Sequence, residues 1–385
     1  MSVRYWPIRC HTRYPGIRLR PRWWIVAFVL LTAACDLQKG PLPVIRVGHA
    51  PHDHHSPLYI AASNPDYFRE HLGVWLKPLE YRREYELIAL GKPLARLVID
   101  SSTGGIELIR KLAEDQFDLS FGGVPAMLLL IDQGSPIKIL SPANFEGAGL
   151  IVRRDLPIDD WNGFLTYLRD DRKPLRIGYK IAMSVQNLIF EQALHASGIS
   201  YSQRLDDDTA DIILVKLNGP KNLIPALENG LIDGFVVNQP FLAQARHKGA
   251  GKLVARLSEL PPEGKWRSYP CCAVAAQQSF LDSQPEIASA LLKLLQHANR
   301  FIGEHPEQSA SQIAEWLGTS FEVETDSLSS MSFSTEMDGR WERGVNTWVE
   351  TMIDSYILKG RVRDAHAQGA LSELLYAPSG KETLD

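Results

Sequence analysis

From residue 44 onward, short apolar runs of β type alternate with segments whose apolar residues recur every three or four positions. Runs 44–49, 117–121, 137–140, 175–179, 212–216 and 232–237 are predicted as strands. Ile106, Ile109 and Leu112 form one helical stripe; Ile287, Leu291, Leu294, Ala298 and Ile302 form a longer one, with Pro285 where a helix starts. Alternation of this kind predicts βαβ units and parallel strands, an α/β protein. The chain from 376 on is mostly polar and is expected to be a loose tail.

The pattern repeats. Gly104-Gly105-Ile106-Glu107-Leu108-Ile109-Arg110-Lys111-Leu112 aligns without a gap on Gly219-Pro220-Lys221-Asn222-Leu223-Ile224-Pro225-Ala226-Leu227, an offset of 115. The same offset matches Phe117-Asp118 to Ile232-Asp233 and Pro125 to Pro240. A second offset, 130, pairs Arg46-Val47-Gly48-His49 with Arg176-Ile177-Gly178-Tyr179. Stereotyped βαβ units share such patterns by chance, but an ungapped run of 22 positions favours two similar α/β lobes.

In open α/β sheets the ligand crevice lies outside the carboxyl ends of the strands. The rule nominates loops 52–56, 102–105 and 122–125 in the first lobe, and 182–186, 218–219 and 238–240 in the second. The candidate ligand-binding residues are His54, His55, Ser56, Thr103, Gly104, Gly123, Val124, Pro125, Ser184, Gln186, Asn218, Asn238 and Gln239. Ser102-Thr103-Gly104-Gly105 combines hydroxyls, backbone access and a helix start. It reads equally well as a plain helix cap, and Ser184 stands on the same footing. Apart from Asp53 these loops carry no formal charge, so a small anionic or strongly polar solute held by neutral donors is expected.

Ahead of the patterned region, residues 1–34 hold six arginines and no acid and run into the apolar stretch 23–34. That stretch is too short to span a bilayer, which takes about 20 residues. It reads as an export signal outside the fold. Its end, Leu31-Thr32-Ala33-Ala34-Cys35, resembles the lipobox of bacterial lipoproteins. The resemblance implies acylation of Cys35, palmitate included, and a periplasmic protein anchored by lipid to the membrane. Asp36 suggests the inner membrane, and the long basic region leaves the true translation start open.

Without the leader, 35 basic residues face 45 acidic ones, a net charge of about −10 that gives no reason to expect nucleic acid as a partner. With Cys10 in the leader and Cys35 committed to lipid, only Cys271 and Cys272 remain. Neighbours on an extended strand point to opposite faces, so they are expected as separate buried strand residues, without a disulfide framework. His49, His52, His54 and His55 crowd one loop with Asp53. Spacing does not decide between a metal site, hydrogen bonding to a solute and a solvated loop, and no metal ligand is assigned.

The order of motifs carries a resemblance. His55-Ser56-Pro57-Leu58-Tyr59-Ile60-Ala61-Ala62, Phe117-Asp118-Leu119-Ser120-Phe121-Gly122-Gly123-Val124-Pro125-Ala126 and Gly134-Ser135-Pro136-Ile137-Lys138-Ile139-Leu140 come first. Ala226-Leu227-Glu228-Asn229-Gly230-Leu231-Ile232-Asp233-Gly234-Phe235 and the helix from Pro285 follow. Over 44–318 the chain resembles the nitrate, sulfonate and taurine type of ABC-transporter substrate-binding protein. The resemblance implies a two-lobed periplasmic-binding-protein fold (type II, Venus-flytrap) with a hinge. The expected parts are a signal (1–34), a lipidated linker (35–43), lobe 1 (44–143), lobe 2 (144–268), a return to lobe 1 (269–375) and the polar tail (376–385). The crossings fall near 142–149 and 268–273. It further implies a monomer that delivers a small solute to an ABC permease and its ATPase, with no cofactor and no catalysis.

Two other classes compete. A thiamine-pyrimidine synthase has the same general fold, but Pro270-Cys271-Cys272-Ala273 is a pale echo of its cysteine motif, and no Gly-x-Ser-x-Gly, P-loop or HExxH is present. A ligand-sensing lipoprotein is equally compatible with the fold. The members that bind nitrate and bicarbonate have a differently composed loop at 49–55, which leaves the solute open.

Cys35→Ser is expected to yield unprocessed precursor that takes up no labelled palmitate. Normal processing and membrane attachment of that variant would disprove the lipoprotein reading.

Overall fold

The computed structural model describes residues 41–169 and 173–377, so the leader, Cys35, Asp36 and 378–385 lie outside the described residues. Among them, fourteen strands form two sheets. The first holds Val44–His49 (β1), Val74–Glu80 (β2), Glu84–Ala89 (β3), Lys92–Ser101 (β4), Leu119–Gly123 (β5) and Ile137–Glu146 (β6). The second holds Ala148–Arg153 (β7), Leu175–Tyr179 (β8), Tyr201–Ser202 (β9), Ile212–Lys216 (β10), Gly234–Asn238 (β11) and Gly251–Arg256 (β12). Pro270–Gln277 (β13) and Met331–Phe333 (β14) return to the first sheet. The orders are β14-β6-β13-β5-β1-β4-β3-β2 and β12-β7-β11-β8-β10-β9.

The sheets are mixed, not parallel throughout. β1 pairs in parallel with β4 and β5, and β8 with β10 and β11. Where the chain crosses between sheets it enters running the other way: β7 is antiparallel to β11, and β13 is antiparallel to both β5 and β6. β12 and β14 also pair antiparallel, with β7 and β6, and the meander β2-β3-β4 is antiparallel, closed by tight turns with positive φ at Arg82, Leu90 and Gly91. Its alternation is readable in β3, where Tyr85, Leu87 and Ala89 are buried while their neighbours are less so.

The crossings are short in one place and long in the other. β6 runs on to Glu146, three residues past 143, and a single glycine, Gly147, separates it from β7. The return occupies 257–269. At the far end, Tyr376 bridges Ile139, and its hydroxyl accepts a hydrogen bond from Trp341 Nε1 at 3.1 Å. Residues 376 and 377 are therefore packed on β6 rather than loose.

The internal repeat has a physical content. Strands expected at 117–121 and 232–237 begin at 119 and 234, because the acid before each caps the neighbouring strand. Asp118 Oδ2 accepts from the Arg46 amide at 2.7 Å, and Asp233 Oδ2 accepts from the Arg176 amide at 2.9 Å. The residues ahead of these acids press on equivalent glycines. A Cβ at Gly48 would sit 2.6 Å from the Phe117 ring, and one at Gly178 would sit 2.8 Å from Ile232 Cδ1.

Gly48→Ala is expected to destabilise by about 1–3 kcal/mol, because a planar ring cannot yield. Gly178→Ala should be milder, since the end of Ile232 can swing away. Urea unfolding of the two variants measures the difference, and equal losses would contradict the argument.

Candidate functional site

β1 ends at His49, and the chain turns through a short 3-10 element, Asp53–His55, into the helix Ser56–Ser63 with Pro57 in its first turn. This loop is not solvated. His49, His52, Asp53, His54, His55 and Ser56 are all buried. Tyr59, one turn into the helix, reaches back so that its hydroxyl lies 2.9 Å from Ala50 O, 3.1 Å from His52 O and 3.2 Å from His49 Nδ1. Its ring stacks on Trp316. Burial pushes His49 down to about 3, His52 well below the usual imidazole range, and His55 below it. These three rings are neutral at physiological pH.

Hydrogen bonds set the tautomers. The Ala50 amide donates to His55 Nδ1 at 3.0 Å, so the neutral ring carries its hydrogen on Nε2, which lies near the Cys272 thiol but within ordinary hydrogen-bond distance of no acceptor among the described residues. His54 Nε2 lies 3.0 Å from the Gly147 carbonyl, which can only accept. Nε2 therefore holds the hydrogen, and the Nδ1 lone pair faces Cys272 Sγ at 3.8 Å.

The cysteines correct the expectation from strand alternation. β13 pairs Pro270 with Phe145 and Cys272 with Asn144, so Cys271 is an extra residue, a β-bulge. The bulge turns both thiols to one side, and with His54 they offer donor atoms all within 4.8 Å of one another. Asn144 Oδ1 pins the bulge by accepting from the Cys272 amide at 3.1 Å. Burial holds the Cys271 thiol well above the usual range. Cys272 is pushed well below it, chiefly by the hydrogen bond from Cys271 and further by the nearby imidazoles.

The second sheet brings Lys180, just past β8 and outside the nominated loop 182–186. It is buried, and its Nζ donates to Asn238 Oδ1 at 2.6 Å. Burial lowers its pKa, while the two cysteines raise it. The crevice thus holds a cation, contrary to the expectation of neutral donors only. Gln186 Nε2 donates to Cys271 Sγ at 3.6 Å, and its Oε1 is buried without a partner. Ser184 caps its helix by accepting from the Asn187 amide at 3.4 Å. Gln239, beside Asn238, is occupied by Ser330 Oγ and the Ala243 amide.

Loops of the two sheets touch elsewhere as well: Gly105 abuts Ile181 and Gly123 faces Val185, while within the first sheet's loops Gly104 lies against Ala50. Val124 and Pro125 are buried at the start of the helix Val124–Asp132. Two nominated residues are not brought in. Thr103 is exposed and spends its hydroxyl on Glu107 at 2.9 Å, and Asn218 is an exposed turn residue with positive φ. Ser56 Oγ is buried without a partner.

Behind the histidines lies a buried acid pair. Asp53 accepts from Ser327 Oγ, and Glu324 accepts from Thr319 Oγ1. Burial raises Asp53 well above the usual carboxylate range, with the charge of Glu324 adding to it. Burial also raises Glu324, and the two share a proton.

Two mixed α/β sheets joined by two crossings, with the crevice between them lined from both sides, define the periplasmic-binding-protein fold. Residues 38–318 match the NMT1-like family, and the chain belongs to it. The nitrate/nitrite binding protein NrtA of Nostoc sp. strain PCC 7120 is 24% identical over 212 residues, 53% of this chain and 43% of that one. The chain thus spans under half the length of that relative. Among solved structures, the ligand-binding component of an ABC-type import system from Staphylococcus aureus, with zinc bound, superposes with a TM-score of 0.66 at 15% identity. It covers 88% of this chain and 97% of that one. The alkanesulfonate-binding protein SsuA of Xanthomonas axonopodis pv. citri, bound to MOPS, gives 0.64 at 14% identity, covering 88% and 99%. NrtA of Synechocystis PCC 6803 gives 0.64 at 14%, covering 87% of each.

A carboxyl whose folded pKa is raised contributes stability at low pH and loses it as pH rises through the folded value. Glu324→Gln removes one of the two titrations and supplies an amide donor to Asp53. The variant is expected to gain thermal stability over the parent as pH goes from 5 to 8, by thermal unfolding in a pH series. A gap that shrinks with rising pH would contradict the shared proton.

Proposed function

We propose that this protein is the solute-binding component of an ABC-type importer, working outside the cytoplasm and held at the membrane through Cys35. Its lobes, 44–146 with 270–375 and 148–256, hinge at Gly147 and 257–269. They close on a small anionic or strongly polar solute and hand it to a permease served by an ATPase. Ligand contact with both lobes shifts the closing equilibrium. The protein acts as a monomer and performs no catalysis.

The observation that carries this reading is Lys180. A buried ammonium is expensive to desolvate, and Asn238 offers it only a neutral oxygen. An anion between the lobes would add to the partial counter-charge that the neighbouring cysteines offer, with His55 Nε2–H as a further donor. The named ligands of the related proteins, nitrate or nitrite and an alkanesulfonate, are anions or carry an anionic group. The solute is accordingly sought among small oxyanions and organic sulfonates.

Isothermal titration of the mature protein with nitrate, bicarbonate, MOPS and other sulfonates should find one that binds at a single site. A hydrogen bond to a charged group is worth about 1.5–3 kcal/mol, so Lys180→Met should weaken that binding roughly ten- to a hundredfold. Binding of a neutral solute that is indifferent to Lys180→Met would overturn the anion assignment.

A further inference from the structure

We propose that His54, Cys271 and Cys272 form a binding site for a thiophilic cation of tetrahedral preference, zinc(II) or copper(I). The site stands whether or not the crevice serves import.

Three observations converge on it. The first is the donor set. Two thiols and an imidazole nitrogen gather within 4.8 Å, and all three residues are buried. A tetrahedral zinc with Zn–S of about 2.3 Å and Zn–N of about 2.0 Å needs donors about 3.5–3.8 Å apart. His54 Nδ1 and Cys272 Sγ already lie at 3.8 Å. Thiolate with imidazole is the combination that selects zinc and copper(I) over harder cations.

The second observation is the backing of His54. Its Nε2–H donates to the Gly147 carbonyl, the arrangement that fixes the tautomer of a metal-bound imidazole and aims the other nitrogen at the ion. Gly147 carries positive φ, and a Cβ there would come within 2.9 Å of His54 Nε2, so the backbone is shaped to hold the ring.

The third is the bulge. An unbroken strand would send the two thiols to opposite faces. The extra residue in β13, pinned by Asn144, puts them on one side. Bulges re-aim side chains in this way next to functional sites.

On binding, the ion takes two thiolates and a neutral imidazole. The thiol protons leave to solvent, the charge of zinc(II) is balanced by two sulfurs, and no electron is transferred. All three ligands belong to the first sheet and its histidine loop, so the site is complete without closure. Three protein ligands leave a fourth position, and Gln186 of the second sheet approaches Cys271 at 3.6 Å. That position takes water or an exchangeable ligand, as in open zinc sites.

The test uses the mature protein, reduced and stripped with a chelator. Cobalt(II) should bind one equivalent with intense thiolate-to-metal charge-transfer absorption and a tetrahedral d–d spectrum. Zinc should displace it, also at one equivalent. Cys271→Ser and Cys272→Ser should each weaken zinc binding roughly a hundredfold or more, and His54→Ala by roughly ten- to a hundredfold. His195→Ala, at an exposed histidine, should leave binding unchanged. Should the cysteine variants fail to fold, X-ray absorption of the zinc-loaded parent decides, with two sulfurs in the first shell expected. No stoichiometric uptake, or a first shell of only nitrogen and oxygen, overturns the proposal. Anion titration of the stripped protein separates this outcome from failure of the transport reading.

Discussion

One carbonyl ties the molecule together. Gly147 O, on the single residue between the two sheets, accepts from His54 on one side and from the Gln239 amide, at 2.9 Å, on the other. The histidine loop of the first sheet and the loop after β11 of the second are thereby held to one backbone atom. The tilt of His54, the exposure of its Nδ1 to the cysteines and the closeness of Asn238 to Lys180 all depend on that junction. Any side chain at 147 would meet both the positive φ and the His54 ring.

The crevice is also where the chain departs from a comfortable core. Buried polar groups are normally paired, and an unpaired one costs about 1–3 kcal/mol. Here His52 Nδ1, His55 Nε2, Ser56 Oγ and Gln186 Oε1 are buried without partners, beside a lysine and a shared-proton acid pair. The surrounding apolar packing holds them. Tyr59 is clamped between the loop carbonyls and Trp316, and the helix Ser56–Ser63 is buried from Ser56 to Ala62. Groups kept in this way are poised for something other than stability.

The helix Phe321–Leu328 adds a second tie between the halves. It presents Glu324 and Ser327 to Asp53 under the histidine loop, while Asp326 pairs with Arg246 of the second sheet's helix at 2.9 Å. The exposed pair contributes little energy by itself. The buried one is coupled to protonation, so the stability of this corner follows pH.

Local chemistry was legible in the sequence. β1, β8 and β10 begin and end where their apolar runs do, and the helix from Pro285 follows its stripe. The repeat also survives in atomic detail, because an acid that caps a strand and a glycine that admits a side chain act within one βαβ unit. Much of the crevice position was readable for the same reason: loops at strand ends face one way. What the sequence could not determine was which side chains turn inward. Thr103 and Asn218 face solvent, while Lys180, just outside a nominated loop, is enclosed. The pairing of the two thiols rests on a register between β13 and β6, strands over a hundred residues apart, and on an Asn144 hydrogen bond spanning 128 positions. No local pattern encodes a bulge of that origin, since it exists only once the two strands have met.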